Sequence, residues 1–104
     1  KPNFTTQKTI FGEIIELTEK THPIELNEKI VLIVNGDPGY DWIFGCNIAG
    51  LITKYGGVAS HMSIRCAEFG LPAAIGCGET IYNYIKGFKK IELNCVTNQI
   101  KGIL

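Results

Sequence analysis

The sequence has 104 residues, enough for one small domain with one hydrophobic core. Hydrophobic residues make up 45% of it and charged residues 19%, a globular balance that excludes a disordered chain. Ten Lys and Arg residues balance ten Asp and Glu residues, so no net field would attract a nucleic acid or an anionic membrane. No apolar stretch approaches the roughly 18 residues that span a bilayer, and we therefore predict neither nucleic-acid nor membrane binding.

The first residues and the cysteines indicate the setting of the chain. Residues 1–8 are polar and are predicted to be the end of a linker, which leaves residues 9–104 as the domain proper. Because the sequence starts with Lys1 and not with Met, we interpret the chain as a piece excised from a larger enzyme. No two cysteines have the C-x-x-C spacing of a zinc site, so we predict no metal site, free thiols and a cytoplasmic location.

The first half of the domain begins with two predicted strands. Thr9–Leu17 contains alternating segments, and the continuous apolar run Lys29–Val34 is typical of a strand that is buried on both faces. The polar segment between them, Thr18–Lys29, contains Pro23 and is predicted as a loop, with His22 exposed on it.

A turn cluster and a short helix are predicted next. The helix covers Tyr40–Cys46, with Asp37 as its cap and Pro38 in its first turn. We interpret Asp41 and Trp42 as surface and packing positions of this helix; the alternative is a docking face for a partner domain.

The second half alternates strands and helices. Ile48–Thr53 is predicted as a second buried strand, and Ser60–Phe69 as a helix that ends at Gly70. The remaining predicted elements are a strand at Ala73–Ile75, a helix at Glu79–Ile85, and a hairpin of Phe88–Leu93 with Gln99–Leu104. This mixed order indicates the α/β class, with sheet and helices sharing one core.

One segment has the features of an anion site. Gly56 and Gly57 follow a strand and permit a positive φ and close backbone approach. His61 falls in the first turn of the next predicted helix, where unpaired N–H groups and a partial positive charge favour phosphate. Ser60 can cap that helix, and Arg65, one turn after His61, can hold phosphate oxygens in a bidentate way.

The spacing leaves two interpretations of His61 open. Neutral imidazole is a good nucleophile near pH 7, so the histidine can carry a phosphoryl group. A histidine beside a Gly-Gly turn is more often only a residue that starts a helix. Thr53, at the end of the preceding strand, could donate a hydrogen bond to a phosphorylated His61. We interpret Lys54 as solvated and Tyr55 as packing at the rim.

A family resemblance favours the first interpretation. GGVASHMSIRCA at 56–67, followed by GLPAAIG at 70–76, resembles the signature of the PEP-utilising enzyme mobile domain. This family includes pyruvate phosphate dikinase, phosphoenolpyruvate synthase, enzyme I of the sugar phosphotransferase system and rifampicin phosphotransferase. The resemblance covers most of the chain and implies a single swivelling β/β/α domain, in which His61 is the phosphohistidine.

The same resemblance implies how the domain is used. His61 would take a phosphoryl group at a nucleotide site and carry it to a separate acceptor site, while ATP is converted to AMP and phosphate. The partners would be an ATP-grasp-like nucleotide-binding domain and an acceptor-binding domain of the same polypeptide. ATP and Mg²⁺ would bind to those other domains, and no cofactor would bind to this one.

Two departures from the family pattern concern the acceptor. Ala59 stands where the dikinases usually have Thr, and Cys66-Ala67-Glu68 follows Arg65 where an Arg is common. Pyruvate is the default acceptor, and an amide, a sugar-like molecule or an antibiotic are the alternatives. Two other functions also stay open: a non-catalytic swivelling module that binds an anion or a partner, and an independent histidine phosphocarrier.

Overall fold

The computed structural model describes residues 2–18 and 25–104. Within these residues, seven strands form one mixed sheet in the order β1-β5-β4-β3-β2-β6-β7. The strands are β1 Asn3–Thr5, β2 Thr9–Glu16, β3 Ile30–Ile33, β4 Gly50–Thr53, β5 Ala73–Ile75, β6 Lys90–Asn94 and β7 Gln99–Ile103. The helices are a 3₁₀ helix at Pro38–Gly45, α1 at His61–Phe69 and α2 at Gly78–Ile85. The predicted α/β class is confirmed, and the predicted strands and helices from Thr9 onwards recur with small shifts at their ends.

Strand β2 joins two parts of the sheet. Its second half, Ile14–Glu16, pairs in parallel with β3, and the parallel arrangement continues through β4 and β5. Its first half, Thr9–Glu13, pairs antiparallel with β6, which forms a hairpin with β7. The carboxyl ends of β3, β4 and β5 therefore lie at one edge of the sheet, where α/β proteins commonly place their functional loops.

The central strand β3 is buried on both faces, as its apolar run predicts, and all four of its residues have no exposed surface. Val31 and Ile33 belong to a core cluster that includes residues of the 3₁₀ helix and of α1. Ile30 and Leu32 belong to a second cluster, which includes residues of α2 and of β6. The helix α1 is consequently fixed on one face of the parallel strands, and the hairpin covers the other.

The N-terminal segment requires a correction. We predicted residues 1–8 as the end of a linker, but Asn3–Thr5 form the edge strand β1, antiparallel to β5 with Asn3 opposite Ile75. Phe4 packs against the second core cluster, which attaches this strand to the domain. A three-residue strand is too short to show a periodic pattern, so its polar composition was misleading.

Two other expectations concern the first half of the chain. The short helix is a 3₁₀ helix that starts two residues earlier than predicted, and Asp37 caps it by accepting a hydrogen bond from Gly39 N at 2.8 Å. The interpretation of His22 and Pro23 as loop residues lies outside the described residues. Among the helices that the structure describes, none has both the length and the apolar character needed to cross a membrane.

Candidate functional site

The helix α1 begins directly after the glycine turn. Ser60 has an extended backbone and caps the helix. Its hydroxyl accepts a long hydrogen bond, 3.4 Å, from Ser63 N. Met62 and Cys66 are buried against the core, so the opposite side of the helix faces outwards. His61 lies at the first helical position with about a third of its side chain exposed.

The imidazole of His61 has an acidic partner on the 3₁₀ helix. Its Nε2 lies 2.7 Å from Oδ1 of Asp41, a typical distance for a charge-assisted hydrogen bond. An ionised carboxylate can only accept, so the proton of this bond resides on Nε2. The two helices come close because Gly36 leaves room for Met62; a Cβ at Gly36 would lie 2.1 Å from Cγ of Met62.

Arg65 lies on the Asp41 side of the imidazole. Its Nε is 3.9 Å from Oδ2 of Asp41, and its Nη1 donates to Oε1 of Glu68 at 3.2 Å. The guanidinium also lies over the rings of Phe69 and Phe44, at 5.0 and 5.5 Å from their centroids. These two rings stack on each other at 5.0 Å. Aromatic contacts restrict the guanidinium and stabilise it through cation–π attraction, so the charge is positioned in advance.

The glycine turn is fixed by a close backbone approach. Gly56 has a φ of +128° and Gly76 a φ of +75°, both in the region that favours glycine. A Cβ at Gly76 would lie 2.1 Å from the carbonyl oxygen of Gly56, so no side chain fits between the two loops. Gly57 has free space around it, and a side chain there would meet nothing within 4 Å. Of the two predicted glycines, only Gly56 is required by this geometry.

Thr53 has a role that differs from the predicted one. It is fully buried, its hydroxyl donates to the carbonyl of Tyr55 at 2.8 Å, and it accepts from Gly76 N at 2.9 Å. A hydroxyl has one proton, so Thr53 has none left for a phosphoryl group. The predicted contact with a phosphohistidine is therefore corrected: Thr53 connects the ends of β4 and β5 and fixes the turn that precedes α1.

A small cleft of about 190 Å³ lies at this edge of the sheet. It is bordered by the loop after β3, including Asn35 and Asp37, and by Tyr55 and Ser60 on the other side. Ser60 and Met62 contribute to its wall, whereas His61, which stands between them in the sequence, does not. The imidazole thus faces the 3₁₀ helix outside the cleft.

The buried cysteines are not placed for catalysis. Burial raises the pKa of the Cys66 thiol to about 12 and that of the Cys77 thiol to about 11, so neither forms a thiolate near neutral pH. All four cysteines are free. Within residues 2–18 and 25–104, no three His, Cys, Asp or Glu side chains come together as metal ligands.

The structure thus brings Ser60, His61 and Arg65 together at the start of α1, with Gly56 shaping the turn before them. Sequence reasoning missed the partner role of Asp41. It lies 20 residues before His61, and nothing in its local pattern distinguishes it from an ordinary helix-surface carboxylate. Only the adjacency of β3 and β4, which brings the 3₁₀ helix next to α1, could have indicated it.

Comparison with known proteins agrees with this site. The family model described as the PEP-utilising enzyme, mobile domain, matches residues 24–98. The chain belongs to this family. The match contains β3 to β6 and the three helices found among the described residues of the mobile domain, and therefore the whole segment around His61. Membership implies a phosphohistidine-carrier function within enzymes of the dikinase type.

The fold of the mobile domain is also found in a solved structure. It is similar to the solution NMR structure of a UPF0107 protein, with a TM-score of 0.73 and 12% sequence identity. The similarity covers 99% of this chain and 97% of that chain. At so low an identity it shows the fold alone. A comparison of this sequence with curated proteins found no match.

Proposed function

We propose that His61 carries the phosphoryl group of this mobile domain. The observation that supports this most is the position of His61: it is the first residue of α1, it is partly exposed, and its ring is oriented by a 2.7 Å contact. The segment at 56–67 also resembles the family signature with His61 at the position of its histidine. In the described part of the chain, His61 is the only histidine and therefore the only candidate for a phosphohistidine.

The chemistry needs a nucleophilic nitrogen and a stabilised anion. The lone pair of an unprotonated ring nitrogen forms a bond to phosphorus, and the bond between phosphorus and the leaving oxygen of the donor breaks. On discharge a nucleophilic atom of the acceptor forms a bond to phosphorus, the nitrogen–phosphorus bond breaks, and its electron pair returns to the ring. The start of α1 would stabilise the bound anion by about 0.3–1 kcal/mol if it is exposed, which can position the group but cannot drive the transfer.

The donor and the acceptor would bind to other domains. We propose that an ATP-grasp-like nucleotide-binding domain with ATP and Mg²⁺ and an acceptor-binding domain, both of the same cytoplasmic polypeptide, alternate in contact with His61. Ile64 and Phe69 support a docking role, because both are about half exposed and belong to the same helix as His61. Pyruvate is the default acceptor; Ala59, where the dikinases have Thr, keeps an amide, a sugar-like molecule or an antibiotic as alternatives.

The test is isotope transfer to His61. The polypeptide that contains this domain is incubated with ATP labelled at the β-phosphate, and the bound label is examined by acid and alkali treatment and by peptide mapping. We expect acid-labile, alkali-stable label on His61. The variants His61→Ala and His61→Gln should lose both the label and turnover and should unfold at the same denaturant concentration as the parent. Lys101→Ala, an exposed change on β7, serves as the control.

Two outcomes would contradict the proposal. The first is full turnover without label on His61 in the parent. The second is turnover by His61→Gln at the rate of the parent, because glutamine has a similar size but cannot form the phosphoramidate.

A further inference from the structure

The carboxylate of Asp41 lies between the two groups that a phosphoryl group on His61 would need. Its Oδ1 is 2.7 Å from Nε2 of His61, and its Oδ2 is 3.9 Å from Nε of Arg65. A phosphoryl group on Nε2 would likewise be attached to the imidazole on one side and would present oxygens to the guanidinium on the other. The carboxylate therefore stands where such a group would be.

The neighbourhood of the second ring nitrogen is different. Among the described residues, none forms a hydrogen bond or an ion pair with Nδ1 of His61, and the nearby guanidinium of Arg65 contacts the carboxylate that is bonded to Nε2. The charge that could stabilise a phosphoryl group thus lies on the Nε2 side. This side is also the one that Asp41 occupies.

We propose that Asp41 is a positioning residue that holds the phosphoryl position of His61 in the resting state, so that the Asp41 contact and phosphorylation at Nε2 exclude each other. The inference rests on the proposed function of His61. A carboxylate carries one negative charge and a phosphoryl group between about 1.5 and 2, so the two cannot share one side of the ring without repulsion.

The hydrogen bond has a second consequence for the reaction. While Asp41 accepts the proton of Nε2, this nitrogen has no free lone pair and cannot attack phosphorus. When the carboxylate leaves, the Nε2 proton passes to solvent and Nδ1 takes one up, which frees the lone pair on Nε2. Attack then forms the nitrogen–phosphorus bond as the donor's leaving group departs with its electron pair.

The release of Asp41 requires little rearrangement. About a third of its side chain is exposed, so a change of rotamer towards solvent suffices. It also belongs to a 3₁₀ helix, whose hydrogen bonds have poorer geometry than those of an α-helix. Arg65 keeps its contacts with Glu68 and with the two phenylalanine rings, and exchanges the carboxylate of Asp41 for phosphoryl oxygens.

The test compares Asp41→Asn with Glu68→Gln. Both changes remove one negative charge next to Arg65, but only Asp41 contacts His61. The chain is phosphorylated with phosphoramidate, a small donor that loses ammonia when the imidazole attacks. The initial rate of labelling and the phosphohistidine isomer are measured for the wild type and for both variants. Asp41→Ala, a change at a partly exposed position, repeats the measurement with a side chain that lacks the amide of asparagine and cannot form a hydrogen bond with the ring.

We expect the phosphoryl group on Nε2 in all proteins. Asp41→Asn and Asp41→Ala should be labelled about tenfold faster than the wild type, which corresponds to about 1.4 kcal/mol in the barrier. Glu68→Gln should stay within about twofold, because a partly exposed pair that does not touch the ring has little effect.

The outcomes separate the two proposals. Phosphorylation of the wild type at Nδ1, or labelling of Asp41→Asn at or below the wild-type rate, overturns the role of Asp41 and leaves His61 as the carrier. An equal acceleration in Glu68→Gln also overturns it, because net charge near Arg65 would then explain the result. If His61 takes no phosphoryl group in any protein, from phosphoramidate or from ATP in the polypeptide that contains the domain, the proposed function fails and this inference fails with it.

Discussion

Gly76→Ala is the substitution that examines the glycine turn most directly. The added Cβ would lie 2.1 Å from the carbonyl oxygen of Gly56, whereas real Cβ contacts stay above 3.0 Å, so one backbone segment has to shift by about 1 Å. The φ of +75° adds strain of about 1–2 kcal/mol for a residue with a side chain. The shift also breaks the bond from Gly76 N to the buried hydroxyl of Thr53, which costs about 1–3 kcal/mol. We expect a total destabilisation of about 2–5 kcal/mol on these two grounds.

Gly78→Ala is the matched control for this experiment. Gly78 also has a positive φ, +87°, but a Cβ there would meet nothing within 4 Å, so it isolates the conformational strain of about 1–2 kcal/mol. Both variants are unfolded with guanidinium chloride, and the midpoints and slopes are compared with those of the wild type. Equal destabilisation of the two variants would refute the reasoning, because it would show that the approach of Gly76 to Gly56 has no energetic weight. A Gly76→Ala protein that is unfolded in buffer beside a folded Gly78→Ala protein would support it.

Three further predictions concern buried groups. Thr53→Val should lower the free energy of unfolding by about 2–4 kcal/mol, because Gly76 N and the carbonyl of Tyr55 lose their buried partner, whereas Thr53→Ser should cost less than half as much in the same urea titration. Iodoacetamide at pH 8 should modify the half-buried Cys46 before Cys66, whose pKa of about 12 and burial protect it, and peptide mass spectrometry that finds Cys66 modified first would contradict this. Because the pKa of Cys66 is raised from 9.0 by folding, its contribution to stability is complete below pH 9 and is lost as the pH rises towards 12; Cys66→Ala should reduce that alkaline decline of the unfolding midpoint.

The elements that the sequence predicts well are those with a strong local pattern. The run of apolar residues in β3 is typical of a strand covered on both sides, and Gly70 ends α1 with the left-handed conformation that its position predicts. The edge strand Asn3–Thr5 was missed because three residues show no periodic pattern, and neither its pairing with β5 nor the packing of Phe4 can be read from the local sequence. The 3₁₀ geometry of Pro38–Gly45 likewise depends on how this segment packs above the sheet.

The site could be predicted only in the parts that are contiguous in sequence. Ser60 caps the short helix on which His61 and Arg65 lie, so their spacing determines how they are arranged. The direction in which Arg65 points is a different matter, since it depends on the stacked rings of Phe44 and Phe69, which come from two helices. Thr53 was assigned a wrong contact for a related reason: its proton is already used by a carbonyl two residues later, a detail of the turn that residue types do not reveal.

The residues that support the site differ from the residue that approaches His61. Gly56, Gly76 and Thr53 form a brace at the carboxyl ends of β4 and β5: Gly76 is hydrogen-bonded to Thr53 and lies close to the backbone of Gly56, and the brace determines where α1 begins. Asp41 approaches His61 from the 3₁₀ helix, which follows β3. The carboxylate of Asp41 contacts His61 and Arg65 and does not contact the brace. A substitution in the brace should therefore change the free energy of unfolding first, and phosphoryl transfer only as a result. A substitution of Asp41 should instead change the transfer rate in a protein of nearly unchanged stability, since its partly exposed carboxylate contributes little to folding.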